Sequence, residues 1–307
     1  MADEVQQTIR KDYENMGKES VTAIILTKNE EKNIEDCIKS ISDFAERTVV
    51  VDSGSDDDTV LLAKNLNAEV YEHKFENYAR QFNWAIDNTG IDTKWILRLD
   101  ADERFTPKLC AELSGLLKQA ENSDINGISM TADLYFMGKC LKHGGKTRKR
   151  KIMLFKTGIG RIEDRKMDEH TILSCGTAIH AKNKFIHYDF KDLTTYINKL
   201  NWYATREMQD YFEYKTADGT SNNQNMNDKV MANVRKKKFG FYYKLPCFLR
   251  CWLMFIYSYI FCGNFLNGKE GYVYTYLYNF FYRTLVDAKI IEQQMTNKPF
   301  EETGDLK

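Results

Sequence analysis

Leu97-Arg98-Leu99-Asp100-Ala101-Asp102-Glu103-Arg104 is the stretch whose reading decides the fold. Apolar residues lead into it from Trp95, and a helix start signal, Thr106-Pro107, follows it. A buried strand therefore ends near Leu99, and Asp100 and Asp102 stand where it passes into a loop. At the carboxyl edge of an α/β sheet, that is where ligands bind. Two carboxylates one residue apart repel each other unless something neutralises them, and a divalent cation carrying a diphosphate would do so.

Upstream, strand and helix signals alternate. Val21-Thr22-Ala23-Ile24-Ile25-Leu26 is a continuous apolar run, as in a strand covered on both faces. Within residues 31–41, Ile34, Cys37, Ile38 and Ile41 fall at helical spacing. Thr48-Val49-Val50-Val51 is a second buried strand, ending in the turn-rich Asp52-Ser53-Gly54-Ser55-Asp56-Asp57. Residues 59–66 read as a helix, 69–71 as a third strand, and 78–88 as a helix with Phe82, Ala85 and Ile86 on one face. The helix over 107–120 has proline in its first turn, where the missing N–H costs nothing. Repeated β-α units imply a parallel sheet with right-handed crossovers. The first strand is followed by Thr27-Lys28-Asn29-Glu30 rather than GxGxxG, which argues against a nicotinamide or flavin dinucleotide.

From Gly127 the pattern changes. Residues 128–136 and 151–155 read as strands separated by the glycine- and lysine-rich 138–149, and 192–214 as a long helix carrying Tyr196, Leu200, Tyr203 and Met208. Residues 217–228 are polar and turn-rich, a candidate linker. The expected organisation is a polar leader (1–19), a catalytic domain (20–225, its donor half 20–125 and acceptor half 126–225), and an aromatic-rich helical tail (226–307). Basic and acidic residues balance at 44 each, which argues against bulk nucleic-acid binding. Seven scattered cysteines without a CxxC pair read as reduced thiols, and the polar first twenty residues do not read as a signal peptide.

Four motifs in order carry a resemblance: the opening Val21 to Glu31, Val49-Val50-Val51-Asp52-Ser53-Gly54-Ser55, Gln81-Phe82-Asn83-Trp84-Ala85, and Leu99-Asp100-Ala101-Asp102-Glu103. Together they resemble the family 2 glycosyltransferases. His143-Gly144-Gly145, Met153-Leu154-Phe155 and Met167-Asp168-Glu169-His170 resemble the branch with lipopolysaccharide core glucosyltransferases and capsule or exopolysaccharide enzymes. The resemblance implies a GT-A fold, a Rossmann-like, mostly parallel sheet flanked by helices, here with a C-terminal helical extension. It implies an inverting enzyme moving a hexose from a UDP-sugar to a hydroxyl of a glycan or lipid-linked glycan.

Residue by residue, the resemblance gives Asp102 to a Mn²⁺ or Mg²⁺ ion that clamps the donor diphosphate, and Asp100 to the ribose or the metal shell. Asp52 would accept from the uracil ring, or serve only as an Asx-type turn residue. Thr27 and Glu30 flank the same nucleotide. Arg98 would tune the neighbouring carboxylates or contact phosphate. The general base falls on Asp168 or Glu169. His170 is a metal ligand or diphosphate contact, or else a structural histidine. Arg80 reads as a solvated arginine, Glu103 as a supporting or exposed group, and His180 and His187 as structural. Lys146, Arg148, Lys149, Arg150 and Lys151 form a basic run in an acceptor-side or solvated loop.

In the tail, aromatic and apolar residues fill 251–262 and again 272–282. The first run is shorter than the ~20 residues that span a bilayer, broken by Arg250 on one side and by Asn264 and Asn267 on the other. Such segments lie in a membrane interface or pack as a cap or dimer contact. The first reading gives a cytoplasmic protein held peripherally at the inner face of the cell membrane. Two rival functions keep the donor residues: a non-catalytic nucleotide-sugar-binding scaffold and a nucleotidyltransferase of similar layout.

Overall fold

The computed structural model describes residues 17–144, 150–163, 169–188, 190–216, 240 and 242–296. These fall into two compact units: one within Met1–Leu134 and Thr147–Tyr188, the other within Tyr135–Lys146 and Asp189–Lys307. The division follows Tyr188, so the long helix expected in the acceptor half belongs with the tail.

The first unit is built on a seven-stranded sheet. Its chain runs β1 (Glu19–Thr27), α1 (Ile34–Ile41), β2 (Ala45–Asp52), α2 (Thr59–Asn65), β3 (Glu69–Glu72), α3 (Tyr78–Asn88), β4 (Trp95–Asp100), β5 (Glu103–Arg104), α4 (Pro107–Ala120) and β6 (Ile125–Met130). After β7 (Ala132–Phe136) and β8 (Lys139–Cys140) come β9 (Lys151–Lys156), β10 (Gly160–Ile162), β11 (Thr171–Leu173), β12 (Thr177–His180) and β13 (Phe185–Tyr188). The sheet order is β12-β6-β9-β4-β1-β2-β3. Neighbours pair in parallel except β9, which is antiparallel to both β4 and β6.

Period-2 alternation within the buried strands supplies both faces. Val21, Ala23, Ile25, Leu97 and Leu99 pack with Ile34, Cys37 and Ile41 of α1 and Leu109 and Leu113 of α4. Ile24, Val49, Val51 and Ile96 pack on the opposite face with Ala79, Phe82 and Ala85 of α3. Asn77 caps α3 through the Arg80 amide and Thr106 caps α4 through the Leu109 amide, each cap stabilising by ~1 kcal/mol. One expectation changes: residues 128–136 are not a single strand. The chain leaves the main sheet at Thr131, whose carbonyl accepts from the Phe185 amide at 3.2 Å, and β7 begins a new pairing.

The second unit holds the β7–β8 pairing of Tyr135 with Cys140 and Phe136 with Lys139. Its helix α5 (Leu193–Thr216) is started by Asp192, which accepts from the Thr195 amide at 2.8 Å. Helix α6 (Leu249–Ile256) continues through a π-helical turn to Phe261, and a 3₁₀ turn covers Asn264–Asn267. Helix α7 (Gly268–Thr275) then runs through a second π-helical stretch into α8 (Tyr282–Thr296). Arg250, read from sequence as a break in the apolar run, is buried and paired with Asp287.

Candidate active site

The site is the carboxyl edge of the sheet where β4, β1 and β2 end together. Register sets Leu26 beside Asp100 and Thr27 beside Asp52, so the two acidic loops flank β1. The motifs 48 residues apart in sequence are thereby brought to one rim.

Asp52 is only 2% exposed. Its Oδ1 accepts from Thr27 Oγ1 at 3.0 Å and Ser55 Oγ at 2.6 Å, and its Oδ2 from the Gly54 and Ser55 amides at 2.9 and 2.7 Å. Four donors match the roughly four lone-pair sites of a carboxylate. Asp52 and Thr27 therefore tie the loop after β2 to the end of β1, the turn-forming role weighed above. Gly54, at φ +88°, is a position that glycine adopts without steric cost. Glu30 sits at the entry to α1, where its side chain accepts from Asn33 Nδ2 at 2.8 Å.

Asp100 terminates β4. Its Oδ1 accepts from the Tyr78 hydroxyl at 2.6 Å and its Oδ2 from Lys151 Nζ at 2.9 Å. Lys151 also donates to Glu103 Oε1 at 3.2 Å, and Glu103 Oε2 accepts from the Asp100 amide at 2.9 Å. Arg98 donates to the Tyr78 hydroxyl at 2.8 Å, lies 4.3 Å over that ring, and donates to the Glu169 carbonyl at 3.2 Å. Burial would push the Asp100 carboxyl up; Lys151 and Arg98, with the Tyr78 bond, outweigh it and hold the group well below the usual range. For Glu103 burial wins, and its carboxyl is raised despite Lys151. Lys151 is thus a fixed counter-ion inside the acidic rim. The sequence both opens a strand at Lys151 and counts it in a basic run; the antiparallel entry of β9 carries it to the end of β4.

Asp102 meets a residue that the sequence reading left as structural. His187 Nε2 lies 3.3 Å from Asp102 Oδ2, and the Tyr188 amide donates to the Asp102 carbonyl at 2.8 Å. Antiparallel pairing of β13 with β5, His187 opposite Glu103, makes this contact across 85 positions. The carboxylate oxygen suits manganese or magnesium, and an imidazole nitrogen beside it favours a transition ion such as manganese over the harder magnesium. Their separation is close to the ~3 Å edge of an octahedron with ~2.1 Å bonds, so the pair fits as two neighbouring ligands. Among the described residues no group of three or more His, Cys, Asp or Glu side chains is gathered to hold a metal alone. The anticipated set of Asp100, Asp102 and His170 is therefore not assembled. Asp100 is taken up by Tyr78 and Lys151, and His170 is exposed, its carbonyl accepting from the Glu163 amide at 2.9 Å.

Of the expected bases, Glu169 is described, with its carbonyl beside Arg98, and Asp168 lies outside the described residues. The linker expected over 217–228 lies outside them as well. Arg80 is the exposed arginine expected, paired with Glu76.

Comparison with known proteins adds a family. The profile described as Glycosyl transferase family 2 matches residues 22–180. An uncharacterized glycosyltransferase of Rickettsia bellii is 36% identical over 104 residues, 34% of each chain. The lipopolysaccharide core biosynthesis glycosyltransferase LpsC of Rhizobium meliloti is 28% identical over 60% of this chain and 69% of its own. The chain thus spans about a third of the length of the Rickettsia relative. Among solved structures, glucosyl-3-phosphoglycerate synthase from Mycobacterium tuberculosis, in complex with Mn²⁺, UDP and glucosyl-3-phosphoglycerate, matches at 20% identity. It covers 41% of this chain and 47% of that one, with a TM-score of 0.32.

Proposed function

This chain belongs to glycosyl transferase family 2, and from that premise we propose that it transfers a hexose from a UDP-sugar to a hydroxyl of a glycan or lipid-linked glycan, with inversion. The likeness to LpsC supports a place in cell-surface polysaccharide assembly, the lipopolysaccharide core among them. The observation that carries the reading is the rim where Asp102 faces His187 while Asp100 and Glu103 are held by Lys151.

Asp102 and His187 would hold Mn²⁺ or Mg²⁺, which when bound neutralises the charge that builds on the departing diphosphate. Lys151 and Arg98 keep the rim from being purely acidic, so an anionic donor can approach it. The loop fixed by Asp52 and Thr27 supports the nucleoside. A uracil N–H reaches the Asp52 carboxylate by displacing the Ser55 hydroxyl. In the transfer, the acceptor oxygen bonds to the anomeric carbon from the face opposite the diphosphate. The anomeric C–O bond breaks, its electron pair leaves with the nucleoside diphosphate, and the acceptor proton goes to Glu169 or Asp168. Such a base contributes ~10²–10⁴-fold.

A screen of nucleotide sugars with manganese tests this. Transfer releases nucleoside diphosphate, whereas a nucleotidyltransferase would release pyrophosphate and a scaffold neither. Asp102→Asn and His187→Ala are expected to lose metal-dependent UDP binding in calorimetry. Glu169→Gln or Asp168→Asn is expected to keep that binding and lose transfer. Full turnover in both base variants, or metal-dependent binding untouched in Asp102→Asn, refutes the assignment.

A further inference from the structure

The second unit is turned inside out at one place. Of the sixteen large apolar side chains exposed among the described residues, twelve lie between Phe248 and Tyr276. They recur at helical spacing along α6, as Leu249, Trp252, Leu253 and Ile256 illustrate, continue through the π-helical turn as Tyr257 and Ile260, and culminate in Phe261, 76% exposed. In the turn that follows, Asn264 and Asn267 are 1% and 3% exposed while Phe265 and Leu266 between them stand in the open, Leu266 at 60%. A turn facing water has the opposite pattern.

The buried amides are satisfied within the unit. Asn264 Nδ2 donates to Ser258 Oγ at 2.9 Å, which also receives Asn279 Nδ2 at 2.8 Å. Asn267 Nδ2 donates to Asn264 Oδ1 and to the His143 carbonyl, both at 3.0 Å. The Gly144 amide donates to the Cys262 carbonyl at 3.1 Å. Polar groups spent on each other, with hydrocarbon outside, are what a medium without hydrogen-bond partners requires. The Asn267 carbonyl, in the same turn, accepts from Lys139 Nζ at 2.7 Å, and Lys139 is itself paired with Glu270 at 3.2 Å.

We propose that the turn between α6 and α7 is a wedge that enters one leaflet of a lipid bilayer, with Phe261, Phe265 and Leu266 at its tip. Dimensions and charge agree. Among the described residues no single helix is long and apolar enough to cross a membrane, whereas Leu249–Phe261 and Asn264–Thr296, bent by 67° at the break between them, reach that length and apolar composition only together. The arm from Leu249 to Phe261 reaches about 20 Å at ~1.5 Å per residue, longer than the ~15 Å of hydrocarbon in one leaflet, so a tilted entry keeps it within that leaflet. Residues 251–268 contain no Asp, Glu, Lys or Arg; the exposed Lys244 precedes that stretch and the exposed Lys269 follows it, where its long side chain limits the depth of entry to what lets the ammonium reach the headgroups. Trp252 and Tyr257 suit the same level.

The test is binding of the full chain to vesicles of phosphatidylcholine, with and without phosphatidylglycerol, read by co-sedimentation. The parent is expected to bind both. Phe261→Ser with Leu266→Ser, both at exposed sites, is expected to fold as the parent does by circular dichroism and to bind roughly tenfold more weakly or less. Lipids brominated on their acyl chains are expected to quench tryptophan fluorescence in the parent and less in Trp252→Phe, a reading that needs no tip variant. Failure of the parent to bind, equal binding by the double variant, or self-association that the double variant abolishes in place of vesicle binding would each overturn the wedge. The readout is binding alone, so it stands apart from the transfer reaction.

Discussion

Lys151→Met removes an ammonium that touches both Asp100 and Glu103. Breaking a buried ion pair by deleting one partner costs about 3–5 kcal/mol. The Lys151 side chain is 28% exposed and that of Asp100 32%, so solvent screening places the loss near the lower end, about 3 kcal/mol at neutral pH. For a domain of this size that corresponds to a fall in Tm of about 6–12 °C. The pH dependence carries the argument. In the parent, Asp100 is held below its ordinary value, so its stabilisation is complete above that value and is lost as pH falls toward the depressed one. In the variant, Glu103, already raised by burial, loses its nearest cation and rises further. A raised carboxyl takes up its proton in the folded state first, so the deficit shrinks as pH falls from 7.5 to 5. Urea denaturation at the two pH values measures this. Glu103→Gln added to Lys151→Met is expected to recover most of the loss at pH 7.5. A deficit below about 1 kcal/mol, a deficit unchanged between the two pH values, or no recovery in the double variant would refute the reasoning.

Two further outcomes follow from packing. Gly144 sits at φ +114°, and a Cβ there would fall 2.3 Å from Asn264 Oδ1; Gly144→Ala is expected to destabilise the second unit by about 1–3 kcal/mol and to speed hydrogen exchange at the Cys262–Asn267 turn, and unchanged exchange would count against the described packing. Burial pushes the Cys110 thiol from 9.0 to about 12, so the stability it contributes is whole below the ordinary thiol value and drains as pH rises toward 12, by up to about 1.4 kcal/mol per pH unit; Cys110→Ala is expected to flatten that alkaline slope in denaturation curves.

The β-α succession of the first 120 residues was legible because each buried strand is a short apolar run and each helix repeats its apolar residues at three and four. The helix over Pro107–Ala120 matches its sequence reading end to end. The direction of β9 was not legible: Ile152 to Phe155 is an apolar run, and such a run looks the same parallel or antiparallel. Lys151 and His187 escaped for a related reason. Their partners lie 48 to 85 positions away, and local spacing reports only neighbours on one element. What could have marked them is a charged or imidazole group at the end of, or within, an otherwise apolar strand. Asn264 and Asn267 misled through composition. They look like polar ends of a hydrophobic run, yet direction decides, and both point inward. Asp52 shows the converse: its position at the rim was legible, while the four hydrogen bonds that occupy it depend on a folded loop.

The strand that delivers Lys151 also governs how the chain can be made. β9 lies between β4 and β6, and it is synthesised after both. During translation at ~5–20 residues per second, the ribosome releases β4 with one flank open for several seconds before residues 151–156 arrive to close it. For that interval the nascent chain carries an unpaired hydrophobic edge of the kind that aggregates. Pausing or slow codons between positions 100 and 156 would lengthen the hazard, and a chaperone that shields the flank would have its greatest effect there.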